Sequence, residues 1–229
     1  MLVEDRATRF VFLGDYIDRG PDSKGVIEYL LEFKQRHSQV YTLMGNHELM
    51  LLYYLQGYDT AVFLNVGGQE TLESYSIDAE DAPKRVKDLL PKEHLHFFTH
   101  LPLLWEDQHG IYVHAGVDSD VDLSRQVRSY CLWVRDEFIR TRSRFTKPVI
   151  FGHTTFQDPF VQQDKIGIDT GAVHGGRLTA LLLPEKEFVS VTGESSTALK
   201  YPIRFADPKD LVQRGTFGAG LRKLFRFVS

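Results

Sequence analysis

The stretch Gly14-Asp15-Tyr16-Ile17-Asp18-Arg19-Gly20 sets two carboxylates and a guanidinium on one short turn. Carboxylates hold divalent cations and arginine forks onto phosphate, so the grouping suits a metal together with a phosphoryl group. Asp-rich turns are also common in surface loops, and the meaning of this one depends on its partners. Three further turns supply them: Gly45-Asn46-His47-Glu48, His114-Ala115-Gly116 and Gly152-His153-Thr154. A lone Asn or His is most simply a hydrogen-bonded structural residue. Asp15, Asn46, His114 and His153 at four equivalent positions instead make a ligand set, and oxygen with imidazole donors favours Mn, Fe or Zn. His174 opens a turn between two strands and is less secure. His37, His94, His96, His100 and His109 fall in helical or turn settings and read as surface or packing residues.

Other chemistries find no support. His47-Glu48 lacks the second histidine of a zinc-protease helix, since Leu51 stands in its place. Neither a Gly-x-Ser-x-Gly elbow nor a Gly-Lys-Ser/Thr phosphate loop occurs. Cys131, beside Leu132 and Trp133 in a helical segment, reads as a buried and inert thiol.

The elements that position these groups follow from apolar patterning. Short runs ending at Leu13, Met44, Val113 and Phe151 read as buried strands, each giving way to a glycine-bearing turn. Asp22 or Ser23 caps a helix running to about His37, with Val26, Ile27, Leu30, Leu31 and Phe33 on one face. A short apolar helix spans 49–56. Gly67-Gly68, Pro83 and Pro91 each open another, and 103–113 reads as a hairpin. The segment 124–142 reads as helical and carries Trp133 and Arg135, while 165–168, 178–183 and 188–191 read as strands. The whole is an α/β protein with functional groups at strand ends.

Composition sets wider bounds. The chain has 229 residues, of which 42% are hydrophobic and 25% charged, as in an ordinary globular protein. A net charge of -4 argues against a nucleic-acid partner. A single cysteine excludes an intrachain disulfide and favours a reducing compartment. No run approaches membrane-spanning length and no signal-peptide pattern opens the chain, so the expected location is cytoplasmic. Residues 1–193 are expected to form one domain and 194–229 a tail. Oligomeric state stays open.

The four motifs, in order, resemble those of the calcineurin-like metallophosphoesterases, and more narrowly the bacterial and phage serine/threonine protein phosphatases. The resemblance covers nearly the whole chain up to about Gly193. It implies a β-sandwich flanked by helices and a two-metal site. Asp15 would bridge the metals, and Asn46, His114 and His153 would complete one of them. His47 would be the general acid, oriented by Asp18, with Arg19 and Arg135 holding the phosphate. Two metals can generate a hydroxide near neutral pH for in-line attack on phosphorus, and a His oriented by a carboxylate serves a poor alkoxide leaving group. The implied activity is hydrolysis of phosphoserine or phosphothreonine, extending to phosphotyrosine, in a phosphoprotein or small phosphoester. Manganese is the leading metal. A rival on the same fold is a diadenosine tetraphosphate hydrolase. There the arginine motif usually reads Ala-Arg-Gly and the histidine motif ends in Asp, whereas here Asp18-Arg19-Gly20 and Glu48 stand. Asp169 reads either as a partner of a ligand histidine or as a stabiliser of its own turn.

The family's first motif, Gly-Asp-x-His-Gly, is not matched before Gly14, so the first strand and most of one metal site are expected to be missing. A displaced or truncated start is the favoured account, because His47, Asp18 and Arg19 are intact. The other two are a catalytically impaired relative that binds a phosphorylated ligand, and a strand and ligands supplied from elsewhere in the chain or by a partner subunit. Leu221, Leu224, Phe225 and Val228 recur at helical spacing and read as an amphipathic helix packed on its own domain, or against a partner or an anionic surface.

Overall fold

Phe10, Val11 and Phe12 form strand β1 (Phe10–Phe12), which pairs in parallel with β2 (Val40–Thr42), Phe10 opposite Val40. Helix α1 (Ser23–Arg36) makes the crossover between them, as a parallel pair requires. The Asp22 side chain caps it by accepting the Gly25 N–H at 2.9 Å. This computed structural model describes residues 9–193; the amphipathic tail helix expected around Leu221 lies outside the described residues.

Helix α2 (Asn46–Tyr54) begins three residues earlier than its apolar pattern indicates. Two carboxylates hold this start: Glu48 folds back to accept the Gly45 N–H at 2.9 Å, and Asp15, from the loop after β1, accepts the first-turn His47 N–H at 3.2 Å. Asn46 and His47 therefore lie in a first helical turn, not in a free loop. Helix α3 (Thr60–Phe63) continues into a π-helical turn, Leu64–Gly68, and then α4 (Gln69–Ser74). Helices α5 (Pro83–Leu89) and α6 (Lys92–Thr99) complete this half, each starting at or beside its proline.

The second half is β-rich. Strands β3 (Leu104–Glu106) and β4 (Ile111–Val113) form the expected hairpin. The stretch expected to be helical is broken into a 3-10 turn, Leu123–Arg125, then α7 (Arg128–Trp133) and α8 (Asp136–Arg140). The break falls at Arg135, whose φ of -130° and ψ of -103° are not helical. Strands β5 (Val149–Phe151), β6 (Phe160–Val161) and β7 (Lys165–Gly167) join the hairpin in a mixed sheet ordered β3-β4-β5-β7-β6. Strands β8 (Asp169–Thr170), β9 (Arg177–Leu182) and β10 (Glu187–Thr192) make a third, antiparallel sheet ordered β10-β9-β8.

Alternation along β4 and β5 shows how the layers stack. Ile111, Val113, Val149 and Phe151 face one way, into a cluster with Cys131 and Phe138. Tyr112 and Ile150 face the other, into a cluster with Leu43, Val11, Leu13, Ile168, Leu181 and Leu183 drawn from all three sheets. Strands buried on both faces read as continuous apolar runs, which is why these were legible. Helices α1 to α6 pack around a larger apolar cluster that includes Ile27, Leu51, Phe63, Leu72 and Phe98.

Lys165 places a charged group within this interior. Its ammonium is fully buried, donates to the Phe138 carbonyl at 2.8 Å and to the Thr141 carbonyl, and so caps the C-terminal end of α8.

Candidate metal and phosphate site

Strands β1, β2, β4 and β5 run as two parallel pairs, and their C-terminal ends deliver Asp15, Asn46, His114 and His153 respectively. The His114 Nδ1 donates to the Leu13 carbonyl at 2.8 Å, which ties one pair to the other. That bond places the proton on Nδ1 and leaves Nε2 with a lone pair. Around Nε2 stand the Asn46 Oδ1 at 2.9 Å, the His153 Nδ1 at 3.2 Å and an Asp15 carboxylate oxygen at 3.4 Å. Acceptors thus converge with too few protons between them, a cluster that calls for a cation. Asp15, His114 and His153 each offer a ligand atom within 4.8 Å of the others. The His153 Nε2 is buried without a hydrogen-bond partner. Burial, with the charges of His114 and Arg135, lowers the His153 pKa to about 3, so its ring is neutral and able to ligate. Burial works against the charge on Asp15, but the neighbouring imidazoles, His114 first and then His47, together with the His47 N–H outweigh it and hold the carboxyl below its usual range. This donor set fits a divalent metal.

The backbone there is unusual. Asp15, Asp18, Arg19 and His153 all have positive φ, between 59° and 77°. Left-handed backbone costs most non-glycine residues about 1–3 kcal/mol, Asp and Asn least, and such strain collects where a side chain must be aimed. Gly14 and Gly45 permit the approach of the two loops: a Cβ on Gly14 would lie 2.4 Å from the Gly45 nitrogen, and one on Gly45 would lie 2.3 Å from the Asp15 nitrogen.

His47 and Asp18 form a buried pair, Nδ1 to Oδ2 at 2.5 Å. Burial opposes charge on His47, yet the Asp18 hydrogen bond and the Asp15 charge raise its pKa above the usual imidazole value. Burial likewise raises Asp18, against the pull of His47 and Thr71. Arg19 is close enough for its charge to be felt by His47, and its N–H donates to the Gly67 carbonyl at 3.0 Å. Arg135 donates to the His153 carbonyl at 2.7 Å, and Trp133 stands edge-on to the His153 ring. All eight residues singled out in the sequence therefore gather around the ends of the four strands. Asp169 does not join them: its carboxylate accepts the N–H of Gly171 at 3.0 Å and so holds its own turn. His174 lies in a 3-10 turn, Ala172–His174, between β8 and β9.

Sequence reasoning missed what braces the site. Glu48 is fully buried and accepts N–H groups from Asp15 at 2.9 Å, Tyr16 at 2.6 Å and Gly45 at 2.9 Å. Burial and the Asp15 charge push its carboxyl up to about 8, against those donors. The Tyr16 hydroxyl accepts the Gly14 N–H and lies 2.8 Å from the Leu43 carbonyl, tying β1 to β2 beneath the loops. Thr71 and Ser23 touch Asp18. A Gly followed three residues later by Glu at a helix start hinted at Glu48. Nothing local marked Thr71.

The calcineurin-like phosphoesterase family matches residues 2–191. The chain belongs to that family. Among its relatives, the Bis(5'-nucleosyl)-tetraphosphatase PrpE [asymmetrical] of Bacillus thuringiensis (strain Al Hakam) is 29% identical over 201 residues, 80% of this chain and 78% of the relative. The protein of the same name from Anoxybacillus flavithermus is 28% identical over 206 residues, 82% of this chain and 81% of the relative. A crystal structure provisionally assigned as a diadenosine tetraphosphatase superposes with a TM-score of 0.61 at 21% identity, covering 84% of this chain and 85% of the other. Phosphoesterases of this family use divalent metals, and Asp15, His114 and His153 form a cluster able to hold one. No described helix is long and apolar enough to cross a membrane.

Proposed function

We propose that this phosphoesterase hydrolyses a dinucleoside polyphosphate of the bis(5'-nucleosyl)-tetraphosphate kind. The observation that carries the reading is that both relatives above, matching about four fifths of the chain, bear that name. The protein-phosphatase reading of the sequence rested on Glu48 and on Asp18-Arg19-Gly20. Glu48 is buried beneath the loops, saturated by backbone donors, so its identity speaks to loop packing and not to substrate. Asp18 is turned onto His47, and discriminates no better.

Asp15, Asn46, His114 and His153 are the residues to hold a divalent metal, manganese first. When bound, the metal supplies Lewis-acid polarisation of a phosphoryl oxygen. Arg19 and Arg135 bind the remaining phosphoryl oxygens; one edge of the Arg135 guanidinium is spent on the His153 carbonyl, which sets its plane. His47, its Nδ1 held by Asp18, gives a proton to the departing oxygen from Nε2.

The His47–Asp18 pair also supports a second reading, phosphoserine or phosphothreonine hydrolysis. An alkoxide leaves badly without a proton, whereas a departing phosphate oxygen, with a pKa of about 6, leaves readily. The test is turnover of diadenosine tetraphosphate, a phosphoserine peptide and p-nitrophenyl phosphate with added manganese, products separated by chromatography. ATP and AMP from the dinucleotide, with slow release from the peptide, is the expected result. An inert dinucleotide with rapid peptide dephosphorylation reverses the order of the readings. Inertness toward all three sinks both.

A further inference from the structure

Helix α4 enters the site at one point, Thr71, whose side chain is 1% exposed. Its Oγ1 lies 2.7 Å from the Asp18 Oδ1, 2.8 Å from the Asp18 backbone nitrogen and 3.1 Å from the Ser23 Oγ. The Ser23 Oγ is in turn 3.2 Å from the same Asp18 nitrogen. A hydroxyl has one proton and two lone pairs, and a carboxylate only accepts, so the proton positions follow. The Asp18 N–H donates to both hydroxyl oxygens, Ser23 donates to Thr71, and Thr71 donates to Oδ1. The other carboxylate oxygen, Oδ2, faces the His47 Nδ1.

We propose that Thr71, backed by Ser23, is a positioning residue for proton donation by His47. The inference rests on the phosphoesterase reading above, not on the choice of substrate. Asp18 has a left-handed backbone, with φ at 77°, so its side chain leaves the loop in an uncommon direction. A carboxylate held by one oxygen can swing about its terminal bond; one held by both cannot. Thr71 supplies the second hold and fixes the plane in which the imidazole lies. The same segment secures the next residue too, since the Arg19 N–H donates to the Gly67 carbonyl at 3.0 Å. Gly67 has φ at 114°, and a Cβ there would lie 2.5 Å from the Arg19 Cγ. The π-helical turn before α4 thus brings Gly67 and Thr71 together onto Arg19 and Asp18.

The decisive comparison is Thr71→Val, which keeps the shape and removes the hydroxyl, against Thr71→Ser, which keeps the hydroxyl. Both are assayed with manganese on phenyl phosphate, whose leaving group has a pKa of about 10 as in tyrosine, and on p-nitrophenyl phosphate, whose anion departs with little help. General acid catalysis contributes roughly 10²–10⁴-fold. Thr71→Val is therefore expected to lose about 10-fold more in kcat on phenyl phosphate than on p-nitrophenyl phosphate, with KM little moved, and Thr71→Ser to restore most of it. The downfield Nδ1 proton of His47, assigned through its absence in His47→Asn, is expected in the parent and Thr71→Ser and shifted or broadened in Thr71→Val. This second readout needs no turnover. Equal losses on the two esters with an unchanged His47 signal overturn the inference and leave the phosphoesterase reading standing. A parent inactive on every phosphoester with manganese bound removes that reading, and this inference falls with it.

Discussion

Acidifying the metal-free protein should weaken it through His153 in particular. Burial and the charges of His114 and Arg135 take its pKa from 6.5 to about 3. Between those values the unfolded chain binds a proton that the folded chain refuses, so stability falls as pH drops below about 6.5. Each pKa unit traversed is worth about 1.4 kcal/mol. From about pH 7 to about pH 5 the loss attributable to this ring is therefore about 2 kcal/mol, or about 4–8 °C in Tm for a chain of this size. His47 has the opposite sign: its raised pKa stabilises most at low pH and fades as pH rises. That contribution is common to the parent and to His153→Asn, so the comparison isolates His153. Asn suits the position because it tolerates the left-handed backbone found there, with φ at 61°. Urea unfolding with a chelator present, at the two pH values, measures the difference. The parent should lose about 2 kcal/mol more than the variant. Parallel losses in the two proteins would refute the claim that the folded site excludes a proton from this ring.

Adding manganese should raise the Tm of the parent and leave Asp15→Asn and His114→Ala nearly unmoved, read by thermal shift, because ligand binding stabilises only through intact ligands. His47→Asn should lower kcat on phenyl phosphate by about 10²-fold or more while leaving metal-induced stabilisation in place; wild-type turnover would remove its assignment as proton donor. Gly45→Ala should cost about 1–3 kcal/mol and weaken metal binding, since the new Cβ must push the Asp15 loop away; calorimetry measures both. Cys131 should resist a thiol reagent until the protein is unfolded, its thiol being buried in α7 and pushed up to about 11.

The sequence showed which residues gather at the strand ends better than what supports them there. Asp15, Asn46, His114 and His153 stood out because each follows a short, mostly apolar run, and parallel strands end together. The start of α2 did not, because its first-turn His47 N–H is accepted by Asp15 from a distant loop while Glu48 folds back onto Gly45. The break at Arg135 was hidden for a related reason: Val134 and Arg135 fit a helical pattern, and their departure from it depends on the distant His153 carbonyl. Thr71 stands 53 positions from Asp18, and no local periodicity connects a hydroxyl to a carboxylate across that distance. Strands β6 and β8 went unread because two residues carry no alternation to detect.

The positive φ shared by Asp15, Asp18, Arg19 and His153 bears on how this site can change. At each position a replacement passes two filters, and the backbone filter acts before the side chain reaches any ligand. Gly, Asn and Asp pass the first at little cost, while Val, Ile and Thr fail it whatever their chemistry. Saturation libraries at these four positions should therefore be depleted twice over, first of β-branched residues in the pool of folded proteins, then of non-ligating ones in the pool of active proteins. The two depletions separate when folding and turnover are scored on the same library. The loops are then an example of a site whose accessible variation is narrowed by conformation as well as by chemistry.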